Sequence, residues 1–467
     1  MTGFKVILRI FNRIIYFLLK GSRLPVFFGL VATFFTWWLY TSAPPALTAL
    51  LERLDNVVYD QRYNLMLKPP ATTNFKIIII DIDQKSLEAE GQWPWSRFKL
   101  GDLVTQLSGY GALVVGFDFF FPEYERNIVA ELQQRTTDTG LLDLVPRLEE
   151  MQELLDGDKY FAEQMQQTDV VLGFSFRPDE VLREGTLPQA IIEIDASLAE
   201  SIALDQMRGY VGNVDVLQAG AAGAGFFDTR PDLDGVIRRS PLVMQYLNRL
   251  YPSLALEMAR LYYFEENFSL TTEVSTLGGF RDITGIKMGQ VFIPTDTEGR
   301  VMVPYAGPSA LGTSGVYTYI SATDILHGTL AQTEMDALQN SLVLIGSTET
   351  GLYDLRATPL EAVYPGVEIH ANVLNAILRS SPVSTISRDT VREEGLGGIV
   401  ASLAASQASP FPSKPYWEEG SVLFGIIVIG MFLSFIYPKL GPALLTLSSL
   451  VFMFGMVMAN FALWSEY

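Results

Sequence analysis

The chain has 467 residues, no cysteine, and 52 acidic against 33 basic residues, for a formal net charge of −19, yet 49% of it is hydrophobic. The length exceeds one ordinary domain of ~100–200 residues, and the acidic balance excludes a nucleic-acid partner held through phosphates. Without cysteine there are no disulfides and no thiolate metal sites, and the compartment is left open.

Residues 1–23 form a basic arm carrying Lys5, Arg9, Arg13, Lys20 and Arg23, and no acid precedes Glu52. Residues 24–45 are the first predicted transmembrane span. Its apolar run, LPVFFGLVATFFTWWLY at 24–40, approaches the ~20 residues that cross a bilayer. Trp37, Trp38 and Tyr40 suit the headgroup region, and Pro44 and Pro45 mark the exit. A cleaved signal peptide has the same basic-then-apolar order, but this core is long and aromatic and no small-x-small site follows it cleanly.

From 51 to 380, strand-like and helix-like stretches alternate. That is the pattern of an α/β fold, a mostly parallel sheet flanked by helices in three layers. KIIIID at 76–81 is a β-branched run too short for a helix and apolar enough for a strand buried on both faces. A helix over 97–107 and a strand over 112–121 (ALVVGFDFFF) complete a right-handed β–α–β unit. The charged stretch 140–167 predicts a helix and VVLGFSF at 170–176 a third buried strand, whereas 178–222 shows no regular pattern. Strands follow over 223–227, 236–246 and 300–303, with Asp232-Leu233-Asp234-Gly235 as turn chemistry. Leu254, Leu256, Met258 and Leu261 give a helix over 253–263, SLVLIG at 341–346 a strand, and VEIHANVLNAIL at 367–378 an amphipathic helix.

Asp81 and Asp83 end the first strand and Asp118 lies near the end of the second. Open α/β sheets bind ligands beyond the carboxyl ends of strands, so these carboxylates are candidates for holding a cation or a polyamine. The commoner alternative has one or two of them capping helices or bonding the loop of Trp93 and Trp95. Trp93-Pro94-Trp95 with Arg97 is either an aromatic clamp for an anion or π system or, more often, a rigid packed loop that closes the sheet end. Gly346-Ser347-Thr348 could begin an anion-binding turn, but it lacks the lysine and spacing of a P-loop, so a structural turn is the commoner outcome. His327 and His370 each stand alone among apolar residues, as satisfied core histidines do. No Ser/His/Asp order, paired-His motif or phosphotransfer histidine context occurs, so neither a catalytic module nor a cofactor is expected, and a metal stays undecided.

Residues 381–420, rich in Ser, Ala, Gly and Pro with a polar-start helix over 390–408, read as a connector to the membrane. Charge-free runs over 421–438 and 441–464 are the second and third predicted spans, separated by Pro438-Lys439-Leu440-Gly441-Pro442. The positive-inside rule holds the basic arm in the cytoplasm. Residues 52–420, with 51 of the 52 acids and 27 of the 33 basic residues and a net charge of −24, then lie outside. Three crossings leave the carboxyl end outside, so an output module needs a further span or a partner chain.

Leu54-Asp55 with Tyr59-Asp60-Gln61-Arg62, IIIIDIDQKSL at 77–87, GQWPWSR at 91–97, GALVVGFDFFF at 111–121 and GLYDLRATPLEAVYPGVEIHANVLNAIL at 351–378 together resemble the CHASE type 2 sensory domain, a cyclase- and histidine-kinase-associated extracellular sensor. The resemblance covers residues 51 to 378. It implies a periplasmic α/β sensor of a bacterial receptor in the inner membrane, followed in the family's usual layout by three spans and a cyclase or kinase effector. Only two closing spans are present here, and the connector is longer than usual. The expected partners are the lipid bilayer, a second copy in a homodimer, and a periplasmic protein or small ligand. A cyclase is the favoured output, and a membrane-anchored docking or assembly protein without signalling output is the rival.

Overall fold

The computed structural model describes residues 24–42, 45–66, 75–127, 154–274, 281–309, 315–349, 355–380 and 418–432, with isolated positions besides. The basic arm, the connector and the third predicted span lie outside the described residues, apart from such isolated positions. Two compact units are present: Met1–Met66 with Ile386–Gln407 and Lys414–Tyr467, and Leu67–Thr385 with Ala408–Ser413.

In the first unit the first predicted span is the helix Leu24–Ser42, 19 residues without a charge. It leaves Leu30, Phe34, Phe35, Trp37 and Trp38 exposed. Its hydroxyls turn back on their own helix, Thr33 Oγ1 to the Gly29 carbonyl at 2.8 Å and Thr36 Oγ1 to that of Ala32 at 2.9 Å, so they present no unmet donor. The helix Pro45–Met66 starts on a proline, whose missing N–H costs nothing in a first turn. The helix Glu418–Met431 covers only part of the second predicted span. Among the described residues no helix is long and apolar enough to cross a membrane.

The second unit is built on a parallel sheet. Its strands are β1 (Lys76–Asp81), β2 (Val114–Phe117), β3 (Asp169–Arg177), β4 (Gly223–Phe226), β5 (Thr318–Ser321) and β6 (Ser341–Gly346). Their spatial order is β5-β1-β6-β2-β3-β4, every neighbouring pair parallel. The helices around it are α1 (Gln84–Glu90), α2 (Arg97–Gly109), α3 (Gly157–Gln164), α4 (Leu254–Tyr262), α5 (Ala322–His327), α6 (Gln332–Leu338) and α7 (Gly366–Arg379).

Strand alternation sorts the sheet into two apolar faces. Ile78 and Ile80, Val115 and Phe117, and Val343 and Ile345 share one core with Leu100, Leu103, Val104 and Leu107 of α2, Phe161 of α3 and Ile325 of α5. Helices α4 and α7 pack on the other face and on each other. Glycine on the sheet lets α4 come close: a Cβ on Gly116 would lie 2.4 Å from Met258 Sδ, and one on Gly225 would lie 2.5 Å from the Leu254 backbone.

The strand expected over 112–121 pairs only over Val114–Phe117. Past it, Asn213 Oδ1 accepts the Phe121 N–H at 2.8 Å, so the chain leaves the sheet for a side-chain partner. The stretch 178–222 is not irregular throughout. It holds the helices Ala196–Ser201 and Asp215–Gly220, and Gly209–Val211 pairs antiparallel with the end of β3. A separate three-stranded antiparallel sheet, Ser269–Val274, Arg281–Met288 and Val291–Pro294, was not anticipated.

The two glycine approaches make a graded prediction. Gly225→Ala meets backbone, which cannot yield, and is expected to lower stability by about 1–3 kcal/mol. Gly116→Ala meets the mobile end of Met258 and should cost less. Thermal unfolding of the two variants checks the order, and equal costs would contradict the close helix–sheet approach.

Candidate functional site at the strand ends

Strands β1, β5 and β6 end side by side, with Asp81 in register with Ser321 on one neighbour and Gly346 on the other. This is where side chains of three separated sequence segments meet.

Asp81 is buried. Its Oδ1 accepts the Thr348 N–H at 2.9 Å and its Oδ2 accepts the Thr348 hydroxyl at 2.6 Å. Ser347 Oγ donates to the Ile82 carbonyl at 2.8 Å. The Gly346-Ser347-Thr348 turn therefore presents its donors to the protein's own first strand. Burial pushes the Asp81 carboxyl up to about 6; the Thr348 donors pull it down, and the Asp83 and Glu349 charges push it further up.

Asp83 is the N-cap of α1. Its Oδ1 accepts the Ser86 N–H at 2.8 Å and the Ser321 hydroxyl at 2.8 Å, tying the helix start to the end of β5. Asp118 follows β2, its N–H donating to the Ile345 carbonyl at 2.9 Å. Its Oδ1 lies 3.6 Å from His370 Nε2 of α7, both side chains buried.

The aromatic loop is a separate, packed structure. Trp93 precedes a cis proline and lies against Phe119, ring centroids 4.6 Å apart. Trp95 is buried and donates Nε1–H to the Gly91 carbonyl at 2.8 Å. Arg97 is buried too: its Nε donates to Asp158 Oδ1 at 3.0 Å, its Nη2 to the Glu123 carbonyl at 3.2 Å, and its guanidinium stands 4.4 Å over the Phe121 ring. The structure thus brings Asp81 and Asp83 together, sets Asp118 against His370, and gives Arg97 a protein anion as its partner. Among the described residues no group of three or more His, Asp or Glu could hold a metal ion.

Of the polar residues of α7, sequence reasoning weighed only His370 and passed over Glu368, Asn372 and Asn375. Glu368, His370, Asn372 and Asn375 are all buried in this helix. The Tyr319 hydroxyl of β5 donates to Glu368 Oε1 at 2.8 Å. Asn372 Oδ1 accepts the Ala306 N–H at 2.8 Å and the Tyr317 hydroxyl at 3.1 Å, while its Nδ2 donates to the Glu368 carbonyl at 2.7 Å and to Tyr364 Oη at 3.0 Å. Burial first, then the nearby Glu368 charge, raises the Tyr319 and Tyr364 hydroxyls well above their ordinary range, so both stay protonated. The spacing of Glu368, Asn372 and Asn375 was the available signal, since positions four and three apart share a helix face.

A second buried cluster sits in the Asp232–Gly235 turn, where Gly235 takes φ +84°. Arg238, almost fully buried, donates Nη1–H to Asp232 Oδ2 at 3.0 Å and Nη2–H to Asp234 Oδ2 at 2.9 Å, and Arg239 reaches Asp232 Oδ1 at 2.9 Å. Bonding to Arg238 holds the Asp234 carboxyl below the usual range. His327 differs from expectation: it is exposed, and its Nε2 lies 2.7 Å from Glu90 Oε1.

A parallel-rich α/β domain whose strand ends are filled by its own hydrogen-bonded side chains is the class these features define. Residues 30–407 match the CHASE2 domain, and the chain belongs to that family. CHASE2 is an extracellular sensory domain family of signalling proteins. No curated protein and no solved structure matches the chain.

Asp81 carries a pH prediction. Its folded carboxyl binds a proton more tightly than the unfolded value of 3.8, so it costs the fold nothing below that pH. The cost grows as pH rises through about 6, reaching of order 3 kcal/mol. Asp81→Asn keeps an acceptor for Thr348 and cannot ionise. Its stability relative to the parent is expected to rise between pH 4 and pH 7, measured by urea unfolding at each pH. A constant difference across that window would show that Asp81 titrates normally.

Proposed function

We propose that the chain is the membrane-anchored, extracytoplasmic sensor of a bacterial signal-transduction receptor whose output is a cyclase. The observation that carries this is the CHASE2 match over residues 30–407, which takes in all of Leu67–Thr385 of the α/β unit. The sequence around it supports anchoring: the basic arm, the charge-free helix Leu24–Ser42 and the charge-free runs after residue 420. By the positive-inside rule the arm stays in the cytoplasm of the inner membrane and the acidic α/β unit stands in the periplasm.

The strand ends bear on the stimulus. Asp81, Trp95, Arg97 and Asp118 are enclosed by protein partners, so the region that would receive a small ligand in an open α/β sheet is occupied by side chains. That favours a periplasmic protein acting on the outer surface over a small molecule entering the sheet end. Such a stimulus transmits only if it binds two arrangements of the domain unequally. Helix α7 is suited to report the change, because it is bonded to the strand ends and leads directly into the connector at 381–420.

The cysteine-free chain makes the placement directly measurable. Phe264→Cys, at a site 89% exposed, is expected to react with a membrane-impermeant maleimide in intact cells, and Thr2→Cys only after lysis. The reverse pattern would put the α/β unit in the cytosol and end the sensor interpretation.

A further inference from the structure

Strand β1 begins directly after Phe75, and α7 ends directly before Ser380. They are the first and last described elements of the segment Leu67–Thr385, so the chain connections to the helices Pro45–Met66 and Glu418–Met431 start at these two points. Two tyrosines at the end of α4 touch both. Tyr262 meets the Phe75 ring edge to face with centroids 6.0 Å apart, and meets Tyr263 in the same manner at 5.3 Å. Tyr263 Oη donates to the Leu378 carbonyl at 2.9 Å, and burial raises this hydroxyl above its ordinary range, so it stays a donor. Carbonyls in the last turn of a helix find no partner within it. Here Ser380 supplies its N–H to Ile377 and its Oγ to Ala376, both at 3.0 Å, and Tyr263 supplies Leu378. The end of α7 is therefore capped, and one cap comes from α4.

The tyrosine pair stands on a fixed helix stop. Phe264 closes α4 at φ +55°, a left-handed position that glycine adopts with less strain. The Phe264 N–H donates to the Leu261 carbonyl and the Glu265 N–H to the Arg260 carbonyl, both at 3.0 Å. Arg260 holds buried Glu257 through Nη2 at 2.7 Å and Nε at 2.8 Å, and its Nη1 donates to the Glu265 carbonyl at 2.7 Å. A strained residue persists only where its surroundings over-determine it.

We propose that Tyr262 and Tyr263 are a clamp that makes the start of β1 and the end of α7 move as one body, so that the chain segments before and after the domain are displaced together. On the proposed function this sets the form of the output: a stimulus that shifts α4 moves both connections, and α7 does not slide past β1. That use rests on the proposed function; the clamp itself does not.

The test follows amide hydrogen exchange in the full chain in detergent. Tyr263→Phe removes the donor to Leu378 and should speed exchange in the last turn of α7 about fivefold, the loss of one hydrogen bond. Phe75→Ala decides the matter, because it alters the far side of the pair. It is expected to speed the same α7 amides about twofold or more in the parent, the worth of one aromatic contact, and to add nothing in the Tyr263→Phe chain. Exchange in β6 is the control and should stay unchanged. Should Phe75→Ala open β6, Phe75→Leu keeps an apolar side chain while removing the ring contact, and carries the test in its place. Unchanged α7 exchange on substitution of Phe75, or two effects that simply multiply, overturns the clamp. Labelling of Phe264→Cys in intact cells reads placement separately, so the clamp and the sensor placement can fail independently of each other.

Discussion

A helix that buries Glu368, His370 and Asn372 can fold only where partners await those groups, and the α/β unit is arranged to supply them. A buried polar group without a partner costs about 1–3 kcal/mol, more if it is charged. Tyr319, Tyr317, Tyr364, the Ala306 N–H and Asp118 come from four separate stretches of the chain, and each reaches α7. Apolar packing alone would let the helix slide along the face it shares with α4; hydrogen bonds of fixed direction admit one placement.

The same logic runs through the strand ends. Asp81 holds the Thr348 turn, Asp83 joins the start of α1 to β5, and Asn213 takes the Phe121 N–H. Each carboxylate or amide bonds a group of another segment, so the loops beyond the sheet are fastened to it instead of standing open. Arg238 does the same for the Asp232–Gly235 turn. Burial raises the carboxyls of Asp81 and, past the end of β4, Asp228 above their ordinary range.

Much of the architecture was legible because the sheet is buried on both sides. Continuous apolar runs such as 77–80 and 342–345 have few readings other than a central parallel strand, and the structure places both there. The apolar spacing over 253–263 likewise gave α4, which Ser253 caps. Asp81 does end β1 and Asp118 follows β2, yet the partners of the candidate residues were not readable: Thr348 lies 267 residues from Asp81, and Asp158 lies 61 from Arg97. The antiparallel strands of 269–294 escaped because they carry no long apolar run. His370 was expected as a satisfied core histidine and faces Asp118, while His327, on a short helix at the surface, is exposed.

The claim that buried hydrogen bonds fix α7 is tested most directly at its contact with β5. Amide hydrogen exchange over Gly366–Arg379 would be measured in the parent chain, Tyr319→Phe, Glu368→Gln and the double variant, converting protection to opening free energies. A specific bond predicts that each single change opens the helix and that the double change costs less than the sum by about 1 kcal/mol or more. Additive losses, within about 0.5 kcal/mol, would show that the two groups merely lie near each other and that packing alone places the helix.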